Sequence, residues 1–321
     1  MRPRPRRILL LVFLLLAAAS AAVYARFQSD LREARARASA GAQIAQTRCG
    51  PIEYQQAGQG VPLLVVHGAG GGHDQGMAFA GALASRGVRV IAISRFGYLG
   101  TPLPADASPA AQADASVCLL DALRVPRAAV VGVSAGGLSA AQTAIRHPDR
   151  VMALALVVPL AYTPQGAARR PSRADRLLDW LVGSDFVFWA GMHVARDQMI
   201  ARVLGTPPAV VEDASPQEQA KVQAMLDAIL PVSERADGLR NEAWQATHLQ
   251  PYALERIRVP TLIISARDDG YGTYANAEYL APRIAGARFI GYERGGHMLV
   301  GHGDEVEREL LEHVLASAAR R

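Results

Sequence analysis

The chain has 321 residues, of which 50% are hydrophobic and 20% charged, so it can bury a substantial core and is not disordered. Its formal charge of +5 is unevenly placed, because residues 1–40 carry a net charge of +6 and leave −1 for everything after them. The globular part therefore offers no case for a nucleic-acid-binding surface.

The N-terminus combines basic residues with a long apolar run. Four arginines among the first seven residues precede the uncharged residues 8–25, in which Leu and Ala dominate. Such a pattern is typical of a secretory signal or a membrane anchor. We predict an uncleaved anchor over residues 1–25, with the arginines in the cytoplasm and the main domain on the non-cytoplasmic side. Cleavage after Ala25, giving a secreted or periplasmic protein, is the alternative. Residues 26–41 are predicted to form a juxtamembrane helix or linker.

From Ala42 onwards, strand-like and helix-like stretches alternate. An edge hairpin is predicted around Cys49-Gly50-Pro51. Apolar runs predict buried strands at 61–66, 88–94, 128–133 and 151–158, and helical patterns predict helices at 77–85, 109–123 and 135–147. This alternation predicts βαβ units and a doubly wound, mostly parallel α/β sheet, with residues 42–159 as the first part of its core.

The alternation stops at Leu160. Residues 160–253 show helical periodicity without a strand-like run, which predicts an inserted helical cap. Such a cap sits over the C-terminal edge of the sheet, where open α/β sheets bind ligands. Residues 254–321 are predicted to complete the core. They supply strands at 261–265 and 287–292 and helices at 273–284 and 304–318.

Only two cysteines occur, Cys49 and Cys118. Two cysteines so far apart form neither a disulfide framework nor a metal site. We expect buried thiols, although export of the main domain would allow the two to pair.

A nucleophile motif follows the strand at 128–133. The segment Gly132-Val133-Ser134-Ala135-Gly136 matches G-x-S-x-G in the strand-turn-helix context that this motif requires. A serine held at a sharp strand-to-helix turn leaves no room for Cβ atoms two residues before and after it, so glycine fits there. The pattern predicts Ser134 as an exposed nucleophile at the start of a helix.

A glycine-rich loop, residues 67–73, follows the strand at 61–66. Glycine loops after strands can cradle phosphates, but neither G-x-G-x-x-G opening a helix nor G-x-x-x-x-G-K-[ST] is matched. The loop is better interpreted as part of an oxyanion hole, which an elbow serine needs. His67 is interpreted as a structural residue that supports this loop.

A serine hydroxyl needs a base, and the base needs an acid to orient it. Each candidate lies just after a predicted strand: Ser134, then Asp268 or Asp269, then His297. The three side chains should therefore meet at one edge of the sheet, in the chain order Ser, Asp, His expected of this scaffold. His302 is interpreted as lying outside this group.

These motifs resemble those of the α/β-hydrolase fold family, over about residues 42–318. The chain is similar to the capped serine hydrolase branch that includes meta-cleavage-product hydrolases and many esterases. In such families the acid commonly follows a glycine in a G-x-x-D pattern. That pattern implies Asp269 as the acid, with Ala266 in the glycine's place. The resemblance also implies that the backbone N–H groups of Ala69 and Ala135 form the oxyanion hole.

The residue at position 134 limits the classes of reaction that the resemblance implies. The related dehalogenases and epoxide hydrolases attack with an aspartate, whereas this chain has Ser134. The resemblance therefore implies a serine hydrolase of an ester or related acyl substrate, acting through an acyl-enzyme. Alternatives are a carbon–carbon bond hydrolase of a diketone-type substrate, an acyltransferase on the same fold, and a non-catalytic binding protein.

No cofactor is predicted, and no metal, because the histidines lack ligand spacing. The expected partners are a small-molecule acyl substrate and, through the N-terminal segment, a membrane. A nucleic acid partner is not expected, and the oligomeric state stays open.

Overall fold

A computed structural model describes residues 5–164 and 183–318 and contains one eight-stranded sheet. Its strands are β1 (Gln43–Thr47), β2 (Gly50–Ala57), β3 (Val61–Val66), β4 (Val88–Ile93), β5 (Ala128–Val133), β6 (Val151–Val157), β7 (Thr261–Ala266) and β8 (Arg288–Tyr292). The spatial order is β1-β2-β4-β3-β5-β6-β7-β8. Strand β2 pairs antiparallel with β1 and with β4, and every other pair is parallel. The predicted mostly parallel α/β sheet is confirmed.

Helices cover both faces of this sheet. The helices of the core are α2 (His73–Ala80), α3 (Pro109–Ala122), α4 (Gly136–Arg146), α10 (Thr273–Leu280) and α11 (Gly303–Ala318). One apolar cluster joins α3, α4 and α10 to the sheet, and a second joins α2 and α11 to its opposite face. Within β3, Leu64 and Val66 point into the first cluster, while Leu63 and Val65 point into the second. Because successive side chains alternate between faces, a continuous apolar run suits a strand that is covered on both.

Helix α2 departs from its predicted bounds at both ends. Helix α2 begins at His73, earlier than expected, because the glycine run ends there and Gly72 is the residue before its first turn. It passes into a 3-10 helix at Gly81–Arg86, so the helical stretch after β3 is split. Helix α3 begins as predicted, with the Ser108 hydroxyl accepting the Ala111 N–H at 3.2 Å.

Between β6 and β7 the described residues form a helical layer. Its helices are α5 (Asp185–Val194), α6 (Arg196–Val203), α7 (Pro208–Glu212), α8 (Pro216–Asp227) and α9 (Ala236–Ala246). The part of the predicted cap at residues 165–182 lies outside the described residues. Side chains from these helices form a third apolar cluster, separate from the two on the sheet. This cluster reaches the C-terminal edge of the sheet through Met298 and Val300.

The N-terminal segment is one continuous helix, α1 (Pro5–Ser39). Residues 8–26 are exposed, and from Ile8 the helix is long and apolar enough to cross a membrane, a property that signal sequences share. Its later turns bury four side chains at helical spacing, Phe27, Leu31, Ala34 and Ala38, and the first three belong to the cap cluster. Residues 26–39 are therefore not a free linker, because their apolar stripe is packed against the cap.

Cys49 and Cys118 form a disulfide, with their Cα atoms 6.1 Å apart. The expectation of two buried thiols was wrong, because the turn between β1 and β2 lies over helix α3 and brings an exposed cysteine to a buried one. The bond ties the edge hairpin to the core and closes a loop with a sequence separation of 69 residues.

We expect Phe27→Ala to destabilise the protein by about 3–5 kcal/mol, because it removes a buried aromatic ring from the cap cluster. Tyr24→Ala is the matched control, since Tyr24 lies one turn earlier on the same helix and is exposed. Denaturant unfolding of the full chain in detergent, followed by circular dichroism, measures both. Equal unfolding midpoints for the two variants would contradict the packing role of residues 26–39.

Reduction of the disulfide should lower the free energy of unfolding by about 4 kcal/mol, because the cross-link restricts a loop of this length in the unfolded chain. The measurement compares denaturant unfolding with and without dithiothreitol. The double variant Cys49→Ser/Cys118→Ser controls for other effects of the reductant and should be insensitive to it. An unchanged midpoint after complete reduction would show that the bond does not stabilise the fold.

Candidate active site

Ser134 lies at a strained turn between β5 and α4. Its φ is +52°, a left-handed conformation that is unfavourable for a residue with a side chain. The flanking glycines make the turn possible. A Cβ on Gly136 would lie 2.3 Å from the carbonyl oxygen of Val66, and one on Gly132 would lie 2.6 Å from Cβ of Ala140. The Ser134 N–H is held by the Val157 carbonyl oxygen at 2.9 Å, which joins the turn to β6. The geometry is that of a nucleophile elbow.

The structure brings His297 and Asp269 together. His297 Nδ1 lies 2.7 Å from Asp269 Oδ2, and the aspartate side chain is fully buried. The same carboxylate accepts the Tyr271 N–H at 2.7 Å and a hydrogen bond from the Thr273 hydroxyl. This arrangement assigns the proton on His297 to Nδ1, which leaves Nε2 as the acceptor. A base held in this tautomer can take a proton from a hydroxyl.

The neighbouring Asp268 has a different set of contacts. Its carboxylate accepts the Gly296 N–H at 2.7 Å and the Gly295 N–H at 3.2 Å. It therefore holds the loop that carries His297 and does not contact the imidazole in this way. Of the two aspartates that the sequence left open, Asp269 is the one that lies against His297.

Ser134 and His297 line one cavity of about 130 Å³, together with Ala69. Most of the remaining wall is apolar and comes from both core and cap: Val65, Phe79, Val133, Val157, Val158, Val203, Leu204, Met225, Ile229, Met298 and Leu299. None of the lining residues within the described ranges is Arg or Lys. The wall therefore suits an uncharged, apolar group beside the serine.

Ala69 follows Gly68 in the glycine loop, and Ala135 directly follows Ser134. Ala69 is exposed at the cavity wall, and Ala135 is buried directly after the serine. Within residues 5–164 and 183–318, neither backbone amide donates a hydrogen bond to the protein. A Cβ on Gly68 would lie 3.0 Å from Cβ of Ser134, so this glycine lets the loop approach the serine closely. Within the described residues, both amides are therefore without a protein acceptor.

His67 supports the glycine loop from below. Its Nε2 accepts the Arg95 N–H at 3.0 Å, so its Nδ1 carries the proton and donates to the Gly68 carbonyl oxygen at 2.7 Å. Burial, with the nearby Arg95 guanidinium, holds the pKa of His67 well below its ordinary value. The ring of Tyr98 packs edge-to-face against it at 4.8 Å. His67 is thus a neutral residue whose hydrogen bonds hold the loop in place, in agreement with its interpretation as a structural residue.

Two buried arginines connect this loop to the cap. Arg235, immediately before α9, is fully buried and donates to the Gly71 carbonyl oxygen at 2.5 Å and to Asp74 Oδ2 at 2.7 Å. Arg95 donates to the Gly68 carbonyl oxygen at 3.0 Å and pairs with Glu242 on α9. Each guanidinium therefore has a carboxylate partner, and both bind carbonyls of the loop that carries Ala69. Sequence reasoning missed them, because a single arginine in a turn or a helical segment has no diagnostic spacing.

The turn after α6 contacts the loops that carry the candidate base and acid. The Gly205 carbonyl oxygen accepts the Gly270 N–H at 2.8 Å and the His297 N–H at 3.2 Å. The Thr206 hydroxyl accepts the Met298 N–H at 3.1 Å. The sequence marked these residues only as a turn, and their role depends on contacts across the cap. Among the described residues, no group of three or more His, Cys, Asp and Glu side chains is arranged to hold a metal ion.

Comparison with known proteins gives consistent similarities. A family model described as the alpha/beta hydrolase fold matches residues 61–304. The chain is 28% identical, over 81% of its length and 90% of the relative's, to a 2-hydroxy-6-oxononadienedioate/2-hydroxy-6-oxononatrienedioate hydrolase of Paraburkholderia phymatum. It is 29% identical, over 65% of its length and 75% of the relative's, to a pimeloyl-(acyl-carrier protein) methyl ester esterase of Neisseria meningitidis. An alpha/beta hydrolase fold protein from Nakamurella multipartita superposes with a TM-score of 0.66 at 27% identity, covering 86% of this chain and 99% of that one.

Arg235→Met should lower kcat for p-nitrophenyl acetate by about 10- to 100-fold with KM changed by less than about threefold, because the Ala69 amide loses its support while the apolar cavity stays. In the double variant Arg235→Met/Asp74→Asn, the second change removes the carboxylate that Arg235→Met leaves without a cation, so this variant controls for the unpaired charge. Arg240→Met is the matched control, since Arg240 is exposed on the same helix that Arg235 precedes. A folded Arg235→Met variant with unchanged kcat would show that this clamp does not position the loop.

Proposed function

Because the chain belongs to the alpha/beta hydrolase fold family, we propose that it is a serine hydrolase that cleaves an ester or related acyl substrate. The main support is the contact between His297 and the buried Asp269, together with Ser134 on the wall of the same cavity. The left-handed backbone at Ser134 adds to this, because strain of that kind is retained where function requires it.

The proposed reaction uses the described groups in four steps. The Ser134 hydroxyl attacks the acyl carbonyl carbon while His297 Nε2 takes its proton. The amides of Ala69 and Ala135 donate hydrogen bonds to the oxygen of the tetrahedral intermediate. His297 then gives its proton to the leaving oxygen, and the carbon–oxygen bond breaks to leave an acyl-enzyme. Water, deprotonated by His297, attacks that acyl group and releases Ser134. Asp269 stabilises the imidazolium that forms twice in this cycle.

The charge of the cavity wall favours an ester with an uncharged acyl group. Transfer of a carboxylate into an apolar cavity is costly unless a cation or several donors meet it. Both Arg95 and Arg235 lie near the glycine loop, but Glu242 and Asp74 already neutralise them. A methyl ester esterase among the relatives agrees with this substrate class.

Carbon–carbon bond hydrolysis of a diketone-type substrate is the second candidate, because one relative is a hydrolase of an oxo dicarboxylate. The same Ser134, His297 and Asp269 can serve either reaction. The described cavity wall supplies no cation for two carboxylates, so an ester is the first choice.

We further propose that the N-terminal helix anchors the protein and that the catalytic domain lies on the non-cytoplasmic side. The exposed apolar turns of α1 support the anchor. The disulfide supports the location, since such bonds persist in oxidising compartments. Signal cleavage after Ala25 would leave the packed residues 27–38 in place, so a secreted or periplasmic form is the alternative.

The test is hydrolysis of p-nitrophenyl esters, from acetate to decanoate, by the full chain in detergent. We expect Ser134→Ala to abolish turnover, and Asp269→Asn to lower kcat by about 10³- to 10⁴-fold, because the imidazole loses its orienting acid. Asp268→Asn is the matched control and should lower kcat by less than about tenfold, since the hydrogen bonds that this carboxylate accepts come from loop amides.

Two results would contradict the proposal. Turnover that persists in Ser134→Ala would exclude an acyl-enzyme on this serine. Absence of turnover with every ester, in folded protein that a fluorophosphonate still labels at Ser134, would move the assignment to the carbon–carbon hydrolase. Absence of labelling as well would favour a binding protein.

A further inference from the structure

Helix α5 is apolar on nearly all sides, although within the described residues only one of its sides is buried. Of its ten residues, only Asp185 and His193 are polar. One side, formed by Phe188, Trp189 and Met192, is buried in the cap cluster. A helix that is apolar all round normally has both sides covered, by protein or by lipid.

The opposite side carries exposed apolar side chains, with the partly buried Ala190 between them. Phe186, Val187 and Val194 are 42%, 36% and 84% exposed. At about 100° per residue, positions 186, 187, 190 and 194 fall within about 100° of the helix circumference, opposite the buried side. We call Phe186, Val187 and Val194 the outer strip of α5. An exposed apolar patch of this kind marks an interaction surface.

The outer strip begins where the apolar run of α1 ends. The ring of Phe27 lies 5.2 Å from that of Phe186 and 5.7 Å from that of Trp189. Tyr24 extends the cluster along α1, with its ring 6.1 Å from Phe27. Phe27 and Trp189 are buried, whereas Tyr24 and Phe186 are exposed. Tyrosine is enriched at the level of lipid headgroups. Two separate segments of the chain therefore expose an aromatic ring beside the end of the apolar run of α1.

The contact between α1 and α5 is fixed by polar groups as well. Trp189 Nε1 donates to Asp30 Oδ2 at 2.9 Å, and the Arg35 guanidinium lies 4.0 Å from Asp185 Oδ2. Because α1 is one unbroken helix, the depth of its apolar turns determines the height of α5 relative to a bilayer. A membrane that covers residues 8–24 would meet α5 within about one helical turn of Phe27.

We propose that the outer strip of α5 lies in the interfacial region of the membrane that α1 crosses, with its side chains among lipid headgroups and upper acyl chains. This inference rests on the proposed anchor. The exposed Arg26 and Arg32 follow the apolar run of α1, and Arg26 pairs with Asp30 at 3.0 Å. The partner is therefore a lipid bilayer, because the exposed apolar side chains of α5 lie beside the end of an apolar helix long enough to cross one.

The position of α5 has a consequence for substrate supply. Its buried side belongs to the same apolar cluster as Leu204 and Ile229, and both of these line the cavity beside Ser134. A helix seated in the interface therefore holds one wall of the cavity close to the bilayer. Esters that partition into the membrane should reach Ser134 more readily than esters held in solution.

The chain offers a clean labelling test, because its only two cysteines are paired in the disulfide. A single cysteine is introduced at Val187 or Val194, labelled with the environment-sensitive fluorophore NBD, and the full chain is reconstituted into phosphatidylcholine vesicles with phosphatidylglycerol. Leu15→Cys is the control for insertion of α1. Asp149→Cys, before β6 at the opposite end of the sheet from the cap, is the control for an aqueous site.

We expect lipids spin-labelled near the headgroup to quench NBD at 187 and 194 several-fold more strongly than NBD at 149. Quenching at 15 without quenching at 187 and 194 would overturn the proposal and leave the anchor intact. Absence of quenching at all four positions would overturn both. Quenching at 187 that disappears as the protein-to-lipid ratio rises would assign the strip to a second copy of the chain, which also overturns the proposal.

Activity gives an independent readout. Val187→Asp should lower hydrolysis of p-nitrophenyl decanoate embedded in vesicles by about fivefold or more and leave hydrolysis of soluble p-nitrophenyl acetate unchanged. Leu315→Asp on α11 is the matched control, because Leu315 is 38% exposed and Val187 is 36% exposed. Equal losses on both esters would overturn the proposal, whereas inactivity of the unmodified chain on acetate would count against the serine hydrolase itself.

Discussion

The whole site depends on the left-handed turn at Ser134. That backbone conformation is sterically costly, and it is held because β5 is clamped between β3 and β6 while glycines on either side admit the carbonyl of Val66 and Cβ of Ala140. The turn lies at the C-terminal edge of the sheet. Because parallel strands end at the same edge, the loops after β3, β7 and β8 converge on it. A single steric constraint thus positions groups that lie far apart in the chain.

The cap does more than cover this edge. Arg235 binds carbonyls of the glycine loop, and Gly205 binds the amides of both Gly270 and His297. Removal of the cap would leave these loops without partners, Asp74 without its cation and the buried Arg95 without its carboxylate. Helix α1 in turn packs into the cap through Phe27 and its neighbours. Helix α1, the cap and the candidate site are therefore linked by packing and hydrogen bonds, and each supports the next.

Several elements were predictable because the information is local. Hydrophobic period and glycine spacing indicated the strands, the elbow around Ser134 and the mostly parallel sheet. The pairing of Cys49 with Cys118 was not predictable, because it depends on where the edge hairpin crosses α3. The same holds for Arg95 and Arg235, whose partners come from distant segments. Only the residue pattern of the related family favoured Asp269, since two adjacent aspartates are equivalent in spacing alone.

The sequence by itself determined the fold class, the nucleophile motif and the order of candidate residues, because periodicity and short steric motifs are written in neighbouring residues. The tertiary structure decided which aspartate faces His297, how the cap holds the glycine loop, and that residues 27–38 belong to the cap core. The first of these outcomes joins residues 28 apart, and the other two are set by packing between segments more than a hundred residues apart. Such contacts leave no periodic trace in the chain, since each depends on a surface that exists only after both segments have folded.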